Sequence, residues 1–124
     1  MGFLENLFPQ RAINALVASA GTGDIKFVKF YIKEGIDIDG LADGFGDLSY
    51  DFDVTALMAA AYGGQLEIVK YLVNKGADIN IRSGSVSAKD MAIKSLSDWE
   101  TGRISSGKSE QKIENLRKII KILT

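Results

Sequence analysis

The stretch that decides the fold is residues 55–80, Thr-Ala-Leu-Met-Ala-Ala-Ala-Tyr-Gly-Gly-Gln-Leu-Glu-Ile-Val-Lys-Tyr-Leu-Val-Asn-Lys-Gly-Ala-Asp-Ile-Asn. A degraded copy of this stretch occupies residues 14–39, at a constant offset of 41 residues. The offset pairs Leu16 with Leu57, Gly23 with Gly64, Val28 with Val69, Gly35 with Gly76 and Asp37 with Asp78. Such an internal repeat indicates a solenoid, in which each unit buries its apolar face against its neighbours.

Both copies predict two short helices separated by a glycine break. In the second copy the apolar spacing predicts helices over residues 56–62 and 66–75, and Gly76 suits the end of the second helix. In the first copy Pro9 suits a helix start, because its φ is already helical and no N–H is needed there. Asp37 and Asp78 each follow a glycine by two positions, where a carboxylate can close a turn on its own backbone.

A third, degenerate unit is predicted near the C-terminus. Residues 87–92 align with residues 55–60, and a Ser- and Gly-rich interruption with Trp99 inside it is expected at residues 95–108. An amphipathic final helix is indicated by the spacing of Ile113, Leu116, Ile119, Ile120 and Leu123. End units of a solenoid face water on one side, so they are expected to diverge.

These residues resemble the ankyrin repeat, whose pattern is Thr-Pro-Leu-His-x-Ala-Ala, then Gly, then Ile-Val-x-x-Leu-Leu, then Gly-Ala-Asp-Val-Asn. The second copy matches it at Thr55, Leu57, Gly64, Ile68, Val69, Leu72, Val73, Gly76, Ala77, Asp78, Ile79 and Asn80. The resemblance implies an all-α ankyrin-repeat solenoid of about three stacked helix-turn-helix units, with an enlarged loop between units 1 and 2. We expect one domain over residues 1–124, with unit 1 at 9–39, an inserted loop at 40–54, unit 2 at 55–80 and the degenerate unit at 83–124.

The departures from the family pattern concern the coupling between units. Ala56 stands where the family has Pro, and Met58 stands where it has His. In the family the Thr and His of this motif link neighbouring units by hydrogen bonds, so the departures imply less rigid coupling. An apolar N-terminal segment is expected to cover the open face of the first unit, through Phe3, Leu4, Leu7 and Phe8.

Two residue types that carry much of enzyme chemistry are absent, since the chain has no His and no Cys. Their absence removes the usual general base near neutral pH, the Cys nucleophile and the commonest metal ligands. The Asp37–Gly40 sequence is similar to the start of a calcium loop, but Leu41 and Leu48 stand where further ligands are required. We therefore predict no enzymatic activity, no metal site and no cofactor.

Charge and hydropathy give no indication of a nucleic-acid or membrane partner, and a cytoplasmic location is the default expectation. The net charge of −1 gives no global attraction to nucleic acid or to an acidic membrane. No apolar run approaches the roughly 18 residues that span a bilayer. The N-terminus lacks the basic start and apolar stretch of a signal peptide. We expect neither nucleic acid nor membrane as a partner.

The inserted loop holds most of the predicted partner-binding residues. Residues 34–53 contain seven acidic residues and no basic one. The same segment contains the aromatic residues Phe45, Tyr50 and Phe52. Aromatic side chains supply contact area, and acidic side chains steer a basic partner. The alternative is a solvated hairpin whose aromatic side chains fold back on the scaffold and whose Asp residues close turns.

The resemblance adds three positions, because in the family the end of the inner helix and the turn tip before it face the binding groove. These are Val54, Tyr62 and Thr22, with Lys94 as a further position if the third unit aligns. The predicted partner-binding set is Phe45, Asp47, Tyr50, Asp51, Phe52, Val54, Tyr62 and Thr22.

Other conspicuous residues have structural interpretations. Phe30 and Tyr71 occupy equivalent positions on the outer helices and are expected to extend the edge of the core. Trp99 is expected to fold against one end of the core, although a lone Trp is also a possible anchor. Residues 103–124 carry a net charge of +4, which indicates a solvated basic helix face more than a nucleic-acid surface.

The function that these features predict is non-catalytic protein–protein interaction. A preformed groove and the acidic, aromatic loop would dock a partner protein with a basic patch. Two alternatives stay open: an inhibitor or immunity-type protein that covers one partner enzyme, and a self-associating structural protein. The oligomeric state is expected to be a monomer or a weak homo-oligomer.

Overall fold

The structure is a computed structural model that describes residues 9–43, 53–102 and 109–124. Within these ranges the chain forms the helices α1 Pro9–Thr22, α2 Ile25–Lys33, α3 Ala56–Tyr62, α4 Leu66–Asn74, α5 Ala88–Glu100 and α6 Ser109–Ile122. A short antiparallel hairpin of β1 Arg82–Ser83 and β2 Val86–Ser87 leads into α5. No helix in the described ranges is long and apolar enough to cross a membrane.

Short polar side chains cap the N-termini of α2, α3 and α5. Asp24 accepts a hydrogen bond from the backbone N–H of Phe27, and Thr55 accepts one from Met58 at 3.1 Å. Ser87 caps α5 in a reciprocal arrangement with Asp90, the third residue of the helix. The backbone N–H of Ser87, together with the Ser87 hydroxyl, lowers the pKa of the Asp90 carboxyl because both stabilise its ionised form.

The outer helices α2 and α4 end in the same way, as the repeat predicts. Gly35 and Gly76 have φ angles of 90° and 95°, a left-handed conformation that is strained for residues with a Cβ. Two residues further on, Asp37 and Asp78 accept hydrogen bonds from the N–H groups of residues 39 and 80, so the predicted turn closure is confirmed. Asp39 also accepts a bond from the N–H of Asp78 at 2.9 Å, which ties the first turn to the second.

The inner helices α1, α3 and α5 form the centre of the molecule, with α3 packed between the other two. All six positions from Ala56 to Ala61 are at most 2% exposed, so α3 is buried on every side. Four of these six residues are alanines, whose small side chains let neighbouring helices approach closely. Met58, which replaces the family's His, lies in this core with 1% exposure.

The final helix α6 packs against α5 and α4 and covers one end of the stack. Leu116 and Ile119 of this helix are fully buried, and Leu123 is nearly so. The amphipathic C-terminal helix predicted from the sequence is therefore confirmed. Lys112 anchors its first turn, because the ammonium group donates a 2.6 Å hydrogen bond to the carbonyl oxygen of Gly63.

The prediction of an interruption from residue 95 onward is wrong, because α5 continues to Glu100. Trp99 consequently lies in a helix rather than in a loop, where it is half-buried against the core, as its structural interpretation expected. The Ser and Asp residues that favoured a break are held in the helix by packing. Ser95 is 1% exposed, and Asp98 pairs with Lys94 one turn earlier at 2.9 Å.

Units 1 and 2 approach each other closely at Gly63. A Cβ atom added to Gly63 would lie 2.6 Å from the carbonyl oxygen of Gly21, which is shorter than atomic contacts allow. A Cβ atom added to Gly21 would instead meet the Ala59 side chain at 3.5 Å, an ordinary contact.

We expect Gly63→Ala to lower the free energy of unfolding by about 1–3 kcal/mol, because it forces α1 and α3 apart. Gly21→Ala is the matched control, and it should be neutral or stabilising by about 0.5–1 kcal/mol, since it removes a helical glycine. Urea unfolding followed by circular dichroism measures both. Equal midpoints for the two variants would contradict this account of the close approach.

Candidate protein-binding surface

Five of the eight predicted partner-binding residues lie outside the described ranges, and three lie inside them. Those outside are Phe45, Asp47, Tyr50, Asp51 and Phe52. The N-terminal residues Phe3, Leu4, Leu7 and Phe8, expected to cover the first unit, also lie outside. The described positions are Val54, Tyr62 and Thr22, and they differ in exposure.

Val54 does not present its side chain to a partner. The side chain is 1% exposed, and its backbone carbonyl accepts a 2.8 Å hydrogen bond from the N–H of Ala42. This antiparallel bridge joins the two ends of the inserted loop at its base. Val54 therefore belongs to the base of the inserted loop. Its burial does not fit the expectation that its side chain lines a groove.

Tyr62 and Thr22 lie near each other at the C-terminal ends of α3 and α1. The close approach of Gly63 to the Gly21 carbonyl brings these two helix ends side by side. Thr22 is exposed, and its hydroxyl donates to the carbonyl oxygen of Ala18 at 3.0 Å. Tyr62 is half-buried and packs against the core.

The predicted residues thus belong to two separate edges of the molecule. Val54 precedes α3 and Tyr62 ends it, and a seven-residue helix spans about 10 Å. Between them α3 offers no exposed side chain, so the middle of the inner face is closed at this helix. The structure brings Thr22 and Tyr62 together but places both away from the base of the inserted loop.

The base of the inserted loop is held to α1 by side-chain hydrogen bonds. Asn14 Nδ2 donates to Asp43 Oδ1, and the backbone N–H of Asp43 donates to Asn14 Oδ1, both at 3.1 Å. Gln10 donates to the carbonyl oxygen of Leu41 at 3.0 Å. Gly40 is packed against Ile13, where any Cβ atom would clash at 2.8 Å. One strand of the loop base is therefore anchored independently of its pairing with Val54.

Sequence analysis did not identify Gln10 and Asn14 as part of this site. In the repeat register Asn14 aligns with Thr55, which caps α3, yet α1 begins five residues earlier at Pro9 and leaves Asn14 inside the helix. An Asn inside a helix has poor helix propensity, and that departure is the signal that could have identified a tertiary role.

Several of the acidic residues near the loop already serve the scaffold. Asp37 and Asp39 accept the turn hydrogen bonds described above, and Asp43 pairs with Asn14. Asp53 is exposed next to the base of the loop. A hydrogen bond from an N–H group does not neutralise a carboxylate, so these residues combine a role in the scaffold with the acidic character of this region.

Three of the four basic residues of α6 are engaged within the chain. Arg117 pairs with Glu100 at 2.7 Å, and Lys118 pairs with Glu114 at 3.6 Å. Lys112 borders a cleft of about 430 Å³ near the turns that contain Gly23 and Gly64, and burial lowers the pKa of its ammonium group. These contacts fit a structural helix face, and none of the predicted residues that the structure describes, Val54, Tyr62 and Thr22, lines the cleft.

Comparison with known proteins places the fold in a family. The family model described as "Ankyrin repeats (3 copies)" matches residues 3–83, about two thirds of the chain. The protein belongs to the ankyrin-repeat family, and the predicted family and fold class are confirmed. Helices α5 and α6 follow the matched region. No curated protein matched the sequence.

Membership of this family defines the broad class of function. Ankyrin repeats are generally protein–protein interaction modules, and the family is typically non-catalytic. Within the described residues, no group of three or more carboxylates is placed to hold a metal ion.

Asn14→Ala is expected to loosen the loop base and to lower the free energy of unfolding by about 1–2 kcal/mol, because it removes two hydrogen bonds to Asp43. The amide of Ala42 should then exchange faster with solvent, as measured by NMR. Asn115→Ala is the matched control: Gln10–Asn14 and Gln111–Asn115 are both side-chain pairs one turn apart, but only Asn14 also reaches the loop. Equal exchange at Ala42 in both variants would contradict the anchoring role.

Proposed function

We propose that this protein is a non-catalytic binding module that docks a partner protein on the inserted loop at residues 40–54. The observation that carries the proposal is the double anchoring of the loop base. One strand is bonded to α1 through Asn14 and Gln10, and both strands are bonded to each other through Ala42 and Val54. A fifteen-residue insertion between helices is longer than a connection requires, and long loops on a rigid scaffold commonly carry function.

The chemistry of the loop selects a partner with a basic patch. The loop carboxylates include Asp47, Asp51 and Asp53, and in the sequence Tyr50 and Phe52 alternate with the last two of them. Carboxylates increase the rate of encounter with a basic surface, and aromatic rings supply the buried contact area after docking. The fixed base reduces the conformational entropy that binding would otherwise cost.

Thr22 and Tyr62 are proposed as a separate, smaller contact. Their edge lies at the far end of α3 from the loop base, so a partner would reach both regions only by extending along the inner side of the molecule. The proposal also keeps the units at residues 9–39, 55–80 and 83–124, and a cytoplasmic location, as predictions. An inhibitor of one enzyme would be a special case of this binding mode, and a self-associating protein would be an alternative to it.

The test is affinity capture from native cell extract with three variants that fold normally by circular dichroism. Tyr50→Ala with Phe52→Ala alters the loop, Tyr62→Ala alters the far edge, and Ile93→Ala, which removes an exposed apolar side chain of α5, is the control. We expect the loop variant to lose a partner that the wild type and the α5 variant both capture, since removal of contact aromatics commonly costs about tenfold or more in affinity.

Two outcomes would contradict the proposal. A partner retained by the loop variant and lost by Tyr62→Ala would move the site to the far edge. Absence of any captured partner, together with a mass above that of the monomer by light scattering, would favour self-association instead.

A further inference from the structure

The outer helix α2 exposes aromatic side chains that a scaffold helix normally buries. Phe27 is 52% exposed and Phe30 is 48% exposed. Both rings contact Tyr31, with ring centroids 6.3 Å apart for Phe27 and 5.5 Å apart for Phe30. The three rings therefore form one cluster on the surface, rather than isolated apolar residues of the kind found on most proteins.

The repeat itself does not explain this exposure. At the offset of 41 residues, Phe27 corresponds to Ile68 and Tyr31 to Leu72, and those residues of α4 are 2% and 0% exposed. Val28 and its counterpart Val69 are both fully buried, so the two helices face their own cores in the same way. The face that is covered in unit 2 is open in unit 1.

The open face is basic. Helix α2 contains Lys26, Lys29 and Lys33 and no acidic residue. Within the described residues none of these lysines forms an ion pair, whereas Lys70, Lys94 and Lys118 on other helices each pair with a carboxylate. The charge of α2 is therefore not neutralised by the fold.

The combination of lysines and aromatic rings continues from α2 into the second unit. The ammonium groups of Lys29 and Lys75 lie 5.5 and 5.7 Å from the centroid of the Tyr71 ring, so both lie within cation–π distance of it. We define the α2 face as Phe27, Lys29, Phe30, Tyr31, Tyr71 and Lys75. It combines two exposed rings, Phe27 and Phe30, and two half-buried ones with positive charge across two units.

We propose that the α2 face binds an acidic segment of a partner protein that also carries apolar side chains. Carboxylates of the segment would pair with the lysines, while its apolar side chains cover Phe27 and Phe30 and so remove them from water. This surface has the opposite charge to the inserted loop and lies on an outer helix. The inference therefore does not rest on the function proposed above.

Charge favours this occupant over two others. Two copies of the protein that met through the same face would bring their lysines together, which opposes association. An anionic bilayer would attract the lysines, but Glu34, Asp37 and Asp39 follow α2 directly and would be repelled by it. A peptide covers a smaller area of the surface than a bilayer, so fewer of these carboxylates oppose its binding.

The test uses NMR of the ¹⁵N-labelled full chain with a synthetic peptide of repeated Asp-Glu-Leu-Phe blocks as the probe. Two control peptides replace either the acids by Lys or the Leu and Phe by Ser. We expect chemical-shift changes at α2 and at Tyr71 with the first peptide only. Lys29→Glu with Phe30→Ala should weaken that binding by about tenfold or more.

A matched variant, Ile93→Ala with Lys121→Glu, makes the same kinds of change on other helices. It removes one exposed apolar side chain from α5 and reverses the charge at one lysine position of α6. It should bind the acidic peptide as the wild type does. Equal binding of the acidic and basic peptides, shifts located away from α2, or no shift with the acidic peptide would each overturn the proposal. Binding of anionic vesicles in place of the peptide, or association of the free chain that Lys29→Glu abolishes, would overturn it in favour of a membrane or a second copy.

Discussion

The close packing of α3 between α1 and α5 is the constraint on which the rest of the structure depends. The alanines of α3 and Gly63 at its C-terminal end let backbones approach to a distance that larger residues would prevent. This approach sets the positions of the turns, and the turns are then joined by the hydrogen bond from Asp78 to Asp39. With few units, a solenoid has no redundant interface, so each such contact matters.

The stack fixes the location of two surfaces with different chemistry. The inserted loop leaves the scaffold next to α1, where Asn14 and Gln10 hold its base. The α2 face lies on an outer helix, where the rings of Phe27 and Phe30 stay in contact with water. One surface is acidic and the other basic, so the two would select different partners by charge.

Local patterns in the sequence were sufficient for the repeated elements and insufficient for tertiary contacts. Gly76 and Asp78 predicted how α4 ends, because helix termination and turn closure depend on neighbouring residues. The sequence around Trp99 predicted a loop, yet packing of Ser95 and the pairing of Lys94 with Asp98 keep it helical. The position of Asn14 inside a helix indicates a tertiary role, but it does not identify the partner Asp43, which lies 29 residues away.

The measurement that tests the central claim most directly is native-state hydrogen exchange of the free protein by NMR. If the molecule depends on α3, the amides of Ala60 and Ala61 should exchange more slowly than those of α2 and α6, because they open only when the whole stack unfolds. Exchange at Ala60 and Ala61 as fast as at the ends of α6 would contradict the account. It would mean that the units open independently and that α3 does not hold them together.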